Sequence, residues 1–357
     1  MRRASHTTVS PRTRTGVGRR VRALGVLLAA GVLLAACAPD PGVATRARAV
    51  ADDGAAAAVP VDPAEVGANE LGQIPVLMYH RVIDNPDSVY DRTPEDFYDE
   101  IDWLFANDYW PITVRDLARG EIDVPAGKTP VALTFDDSTP GQVALTDDGS
   151  WDPDTAIGMI VDRAEAYGVE PTASFYINAA PFGGADAAEI LGKLDAEGYE
   201  IGNHTYGHAD LTTISDPEIR REFAEGKTLV TDVVSHEVVT MALPLGRWPA
   251  NRDVTVAGEH DGVTYEHEGI LLVGADPSPS PFADAFNPLA IPRIRSQELS
   301  DADPDSQFAS EFWLGWLDAE PGRRYISDGD PTRVSFPAGL GDQLAEQYAD
   351  RANPYEP

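Results

Sequence analysis

From about Gln73 onward, short apolar runs rich in β-branched residues alternate with longer stretches whose apolar positions recur at helical spacing. The runs predict strands over residues 75–79, 131–135, 172–177, 199–202, 238–243, 269–274 and 289–295. The longer stretches predict helices over 93–107, 155–167, 185–197 and 216–234. Two of these open on a cap followed by proline, Thr93-Pro94-Glu95 and Asp216-Pro217-Glu218. Proline suits the first helical turn because its missing N–H has no intrahelical partner there. This alternation implies an α/β fold with a parallel sheet, either a barrel or a doubly wound sheet. In both, chemistry collects at the carboxyl ends of the strands. Beyond Ser300 the pattern is less regular. Residues 308–317, with Phe308, Phe312, Trp313 and Trp316, predict a helix packed on the domain rather than a separate sugar-binding module. Residues 343–357 read as a polar terminus.

The first 72 residues follow another logic. Residues 1–22 are rich in Arg and Ser/Thr, and 23–34 form a short apolar run. That is the pattern of a secretory signal peptide, and the run is too short for a comfortable transmembrane span. Leu34-Ala35-Ala36-Cys37 closes it and looks like a bacterial lipobox, whose cysteine carries two acyl chains and anchors the mature protein. The expectation is a lipoprotein of the cell envelope, secreted and lipid-anchored at the outer face of the bacterial cell membrane. Residues 38–72 are dominated by Ala, Pro, Asp, Gly and Val and read as a flexible tether. The organisation expected is therefore a signal over 1–36, a tether over 37–72, a folded domain over 73–300 and an extension over 301–357.

Composition narrows the function classes. Cys37 is the one cysteine of the chain, so neither an internal disulfide nor a cysteine-based zinc site is possible. The net charge is -32; residues 1–36 hold seven Arg and no acidic residue, leaving 20 basic against 59 acidic residues, or -39, in the rest. Such a surface repels nucleic acid, and no nucleic-acid partner is expected; a monomer is.

Candidate chemistry sits at the ends of the predicted strands. Val131-Ala132-Leu133-Thr134-Phe135 runs into Asp136-Asp137, two adjacent carboxylates whose mutual repulsion a cation would relieve. A solvated Asp-Asp turn is the plain alternative. Tyr199-Glu200-Ile201-Gly202 leads to Asn203-His204-Thr205-Tyr206-Gly207-His208. Histidines four apart lie on one face of a helical turn and can share a metal. One Asp and two His make three ligands and leave positions open for water, the mark of a catalytic site. Val76-Leu77-Met78-Tyr79 ends in His80, which taken alone reads as a histidine bonded to a backbone carbonyl. The 238–242 run ends in Leu243-Pro244-Leu245-Gly246, which taken alone reads as an ordinary strand-to-loop turn, although such a bend can expose a backbone N–H. His236, His260 and His267 find no partners by spacing; the first reads as a helix-end residue, the others as loop or surface histidines. No P-loop, Gly-x-Ser-x-Gly elbow or dinucleotide fingerprint is present.

Thr134-Phe135-Asp136-Asp137 followed by His204-Thr205-Tyr206-Gly207-His208 resembles the polysaccharide deacetylases of carbohydrate esterase family 4, the NodB-homology domain. The opening Val76-Leu77-Met78-Tyr79-His80-Arg81 is similar to the branch acting on poly-N-acetylglucosamine. The resemblance spans about residues 73–295. It implies a distorted, incomplete (β/α) barrel with a groove for extended glycans. It implies Asp136 as general base, His80 as general acid, and a divalent metal, usually zinc, on Asp137, His204 and His208. The N–H of Leu245 would complete an oxyanion hole. The partner implied is an acetylated polysaccharide.

There are departures from the family pattern. Ser138 stands where many relatives have Gly, and residues 139–154 look like an insertion. The Arg that orients the base in most members is replaced by Ala242 and Leu243, which leaves Arg293 or Arg295 as candidates. Two rival readings remain: a deacetylase of peptidoglycan, chitin oligomers or O-acetylated xylan, and an inactive, lipid-anchored glycan-binding homologue. The complete Asp-Asp, His-His and His80 set speaks against the second.

Overall fold

The computed structural model describes residues 61–274, 276–300 and 303–357. The expected signal, Cys37 and most of the expected tether lie outside the described residues. The chain begins with α1 (Pro63–Val66), β1 (Val76–Tyr79), α2 (Pro94–Ala106), β2 (Tyr109–Ile112) and α3 (Val114–Arg119). It continues with β3 (Thr129–Phe135), α4 (Ala156–Tyr167), β4 (Ser174–Ile177), α5 (Ala187–Ala196), β5 (Glu200–Asn203), α6 (Asp216–Thr231) and β6 (Thr240–Ala242). Then come α7 (Asp253–Val256), β7 (Ala257–His260), β8 (Val263–Glu266), β9 (Gly269–Leu271) and β10 (Ile294–Arg295). The extension adds α8 (Ser310–Ala319), β11 (Val334–Pro337) and β12 (Ala352–Tyr355).

The main sheet runs β10-β1-β3-β4-β5-β6-β9, parallel throughout, and β2 shares one edge of β3 with β4. All seven positions of β3 are buried, which is why its run shows no polar alternation. On its outer face Phe135 stacks between Tyr79 and Phe175, each ring centroid 5.0 Å away, under α2, α4 and α5. The last strand closes the curve. Ile291 pairs with Leu271 beside β9, and Ile294 and Arg295 pair with β1. The result is a distorted (β/α) barrel, as the family resemblance implied. Its amino end is plugged by Leu71, Ile74, Phe282, Tyr325 and Phe336, packed on inward residues such as Val76 and Ala132. The carboxyl end stays open for the site.

Several expectations change. β2 escapes a periodicity reading because Pro111 interrupts it; the residue is tolerated because β2 pairs on one side only, with β3. The strand expected over 289–295 shrinks to Ile294–Arg295, since Pro288–Ala290 is a 3₁₀ turn and Pro292 follows. Residues 68–71, expected in the tether, pack on the domain instead. Ala68, Asn69, Glu70 and Leu71 are buried, and Asn69 and Glu70 donate backbone N–H groups to Ile326 and Ser335. The terminus is likewise not a loose tail, because β12 pairs in parallel with β11 and the Tyr355 hydroxyl donates to the Ala68 carbonyl. His267 is buried rather than on the surface; its Nδ1 lies 2.7 Å from the Thr255 carbonyl, and burial pushes its pKa down to about 4.

Candidate active site

β3 and β5 are neighbours of β4, so their carboxyl ends bring Asp136-Asp137 and His204 to one mouth. His204 Nε2 lies 3.5 Å from Asp137 Oδ1, and His208 Nε2 lies 3.6 Å from the same oxygen. One ligand atom from each of Asp137, His204 and His208 falls within 4.8 Å of the others. The supporting bonds aim them. His204 Nδ1 sits 2.9 Å from the Ala242 carbonyl, which leaves Nε2 free to face Asp137. Asn178 Nδ2 donates to Asp137 Oδ1 at 3.4 Å, and Ser138 Oγ holds Asn178 from below. The donor set is one carboxylate and two imidazoles, with Asp137 and His208 about one-third exposed and His204 buried. These residues fit a divalent ion with an open side.

The His204–His208 pair is not held by a regular helix. Thr205 and His208 both have left-handed backbone, at φ 61° and 51°. Asn203 fixes the bend by accepting from the Thr205 N–H and donating to the Phe223 carbonyl, and Glu222 accepts from the Gly207 N–H. Gly226 lets α6 approach this closely, since a Cβ there would stand 2.7 Å from Asn203 Oδ1. Five of the nine non-glycine residues with positive φ among the described residues, Asp137, Ser138, Thr205, His208 and Leu245, sit at these strand ends. Strain gathered at one mouth is a signature of a functional site. Ser138, at φ 45°, occupies a conformation that glycine adopts freely.

Asp136 is buried behind Asp137 and clamped by Arg293. Both guanidinium nitrogens donate to its two oxygens at 2.7 Å, while Arg293 Nε donates to the Leu272 carbonyl at 2.8 Å. Burial works against the Asp136 charge, but Arg293 outweighs it, with His204 and His80 adding. The carboxyl is therefore held well below the ordinary carboxylate range. Of the two arginine candidates, Arg293 makes this clamp. Arg295 points elsewhere, donating to Gln297 and Asp303.

His80 ends β1 opposite. Its Nε2 is 3.9 Å from Asp136 Oδ2, the distance that also separates His204 Nε2 from that oxygen. Burial pulls the His80 pKa below its ordinary value, and Asp136 and Asp137 push back. Leu245 follows β6 at φ 57°, and its N–H makes no hydrogen bond among the described residues. Gly246 follows at φ 63°, where a Cβ would collide with Val273 at 2.7 Å.

Gln142 went unnoticed in the sequence. It is fully buried, and its Nε2 donates to the Asp136 carbonyl at 2.5 Å and the His80 carbonyl at 2.7 Å, tying the two strand ends together. It belongs to the 139–154 segment, whose outer part packs on α5 through Trp151, hydrogen-bonded to Glu197. Nothing in a loop glutamine's neighbours marks such a role.

A chitin deacetylase from Pestalotiopsis sp is 28% identical over 166 residues, 44% of this chain. The chain spans about half the length of that relative, 53%. Among solved structures, the Streptococcus pyogenes deacetylase PplD is 19% identical, with 66% of this chain and 96% of that one covered and a TM-score of 0.46. IcaB from Ammonifex degensii is 17% identical, with 68% and 97% covered and a TM-score of 0.44. Residues 123–265 match the family described as polysaccharide deacetylase. That stretch holds Asp136, Asp137, His204, His208 and Leu245, whereas His80 and Arg293 come from strands on either side of it. Over residues 123–265 the chain is thus similar to the polysaccharide deacetylase family.

Proposed function

We propose that the protein is a metal-dependent hydrolase that removes N-acetyl groups from an extracellular polysaccharide containing N-acetylglucosamine. The observation that carries this reading is the convergence of Asp137, His204 and His208 beside a base already clamped by Arg293. A divalent ion on those three residues, zinc by family resemblance, would polarise an acetyl carbonyl and acidify an adjacent water.

The chain's own residues do the rest. Asp136 stays a carboxylate through neutral pH because Arg293 holds it so, and it takes the proton of the attacking water through Oδ2. The carbonyl carbon gains an oxygen, and the Leu245 N–H faces the resulting oxyanion. The proton that Asp136 has taken passes to His80, 3.9 Å from Oδ2, and His80 delivers it to the amide nitrogen as the C–N bond breaks, because an unprotonated amine leaves poorly. Acetate and a free amine result. Placement of the acid on β1, outside the matched 123–265 stretch, favours the poly-N-acetylglucosamine branch by resemblance. The chitin deacetylase relative makes chitin the first alternative polymer.

Signal, lipid anchor at Cys37, tether and placement at the outer membrane face remain part of the proposal, supported by residues 1–72 of the sequence. The test is acetate release across poly-N-acetylglucosamine, chitin oligomers, peptidoglycan and O-acetylated xylan, together with metal analysis. The expected outcome is one equivalent of metal, turnover on an N-acetylglucosamine polymer, and loss of both in His204→Ala. A metal-free protein with no acetate release on any polymer contradicts the reading.

A further inference from the structure

The aromatic residues of the extension take no part in the catalytic machinery. Beside the site is a small cavity of about 160 Å³ lined by Met78, Tyr90, Val273, Arg295, Asp305 and Phe308. It adjoins both halves of the catalytic mouth. The Tyr90 ring centroid is 5.0 Å from that of His80, and Val273 packs against Gly246 next to Leu245. Asp305 and Phe308 come from the extension, beyond the strand that supplies Arg293. Phe308 is 45% exposed.

The helix that follows in the chain carries further aromatic rings, and the Arg323 guanidinium backs the Trp316 ring at 5.4 Å. α8 buries Ser310, Leu314 and Leu317 against the domain. Phe312 is exposed and Trp316 partly so, one helical turn apart. At 1.5 Å per residue their attachment points are about 6 Å apart along the axis, close to the length of one sugar ring. Trp313 stands edge-on to both, with ring centroids 5.1 Å from Phe312 and 5.4 Å from Trp316, which holds the rings in place. Aromatic side chains left facing water forfeit the free energy of burial, so a run of them marks a contact surface. The C–H face of a pyranose is flat and apolar, and its rim is polar. Rings presented in sequence therefore suit a glycan better than a protein core, and Phe308, at the cavity beside Tyr90, links the run to the catalytic mouth.

We propose that Phe308, Phe312 and Trp316 form an aromatic track along which an extended polysaccharide leaves the catalytic mouth. The inference rests on the deacetylase reading and names how that site takes long chains. Phe308 contacts the sugar next to the reacting one. Phe312 and Trp316 support sugars farther along, and they act on affinity rather than on the bond-breaking step.

The experiment compares the full folded protein with a Phe312→Ser/Trp316→Ser double variant and with Phe308→Ala. Acetate release is measured on a dimer, a hexamer and a long polymer of N-acetylglucosamine. The expected result is a several-fold fall in the long-to-short ratio of kcat/KM for the double variant, carried by KM, with an unchanged melting temperature. Phe308→Ala lowers kcat/KM already on the dimer, which spans the reacting sugar and its neighbour. A long-to-short ratio equal to wild type overturns the track. So does an oligomeric state that changes with the double variant, which would assign the face to self-association. Titration with the hexamer, followed by calorimetry, keeps the two proposals apart. Binding in wild type that is lost in the double variant, without any acetate release, retains the track and removes the enzyme. Acetate release with no difference in hexamer affinity removes the track and retains the enzyme.

Discussion

Two carboxyl groups are buried near opposite ends of β1 and β3, and they meet opposite fates. Asp136, at the carboxyl end, is 2% exposed and held charged by the bidentate Arg293. Glu70, in the plug at the amino end, is 3% exposed and has no cationic partner among the described residues. Its oxygens accept from the Ser335 N–H at 2.7 Å and from the Ser327 hydroxyl at 3.2 Å. Burial pushes its pKa up to about 8, nearby Asp328 adds to the rise, and the hydrogen bonds only partly oppose it. Desolvation acts on both groups; one bidentate guanidinium decides which becomes a base and which a neutral structural hub.

The comparison breaks most sharply at Arg293. Arg293→Leu leaves Asp136 buried without its counter-charge, and the expected loss of stability is about 3–5 kcal/mol. Denaturant midpoints measure it. Arg293→Lys keeps the charge but not the fork and recovers part of the loss. A leucine variant as stable as wild type would mean that the clamp does not hold Asp136 charged.

Glu70 tests the other pole, with a smaller effect. Its folded pKa of about 8 lies above the ordinary 4.5, so between these values the unfolded chain releases a proton that the folded chain keeps. Stability is therefore fullest below about pH 4.5 on this account, and a few kcal/mol are lost as pH rises toward 8. Glu70→Gln is neutral at every pH and flattens the dependence of melting temperature on pH over that window. An unchanged slope would show that Glu70 already ionises in the fold.

The same contrast explains what was legible in the sequence. Asp136-Asp137 and His204/His208 stand at the ends of strands whose apolar runs are continuous, so local pattern places them at one mouth. Arg293 and Arg295 are two residues apart and would share a face of the strand expected over 289–295. What separates them is register: Arg293 lies between Ile291, which pairs beside β9, and Ile294, which pairs with β1. That register is set by contacts far apart in the chain. Glu70 was hidden for a similar reason, because the Ala- and Pro-rich composition around it reads as tether while its partners lie more than 250 residues away. Gln142 and Asn178 act from loops, where periodicity carries no information.

The central claim is that two adjacent aspartates have different work, Asp137 holding the metal and Asp136 moving a proton. Metal content and acetate release measured side by side for Asp136→Asn and Asp137→Asn test it most directly, with melting temperatures confirming that both variants fold. The account predicts that Asp136→Asn, whose amide oxygen still accepts from Arg293, retains one equivalent of metal while turnover falls about 10²–10⁴-fold. It predicts that Asp137→Asn loses the metal itself. Equal metal loss in both variants, or near-normal turnover in Asp136→Asn, would contradict it.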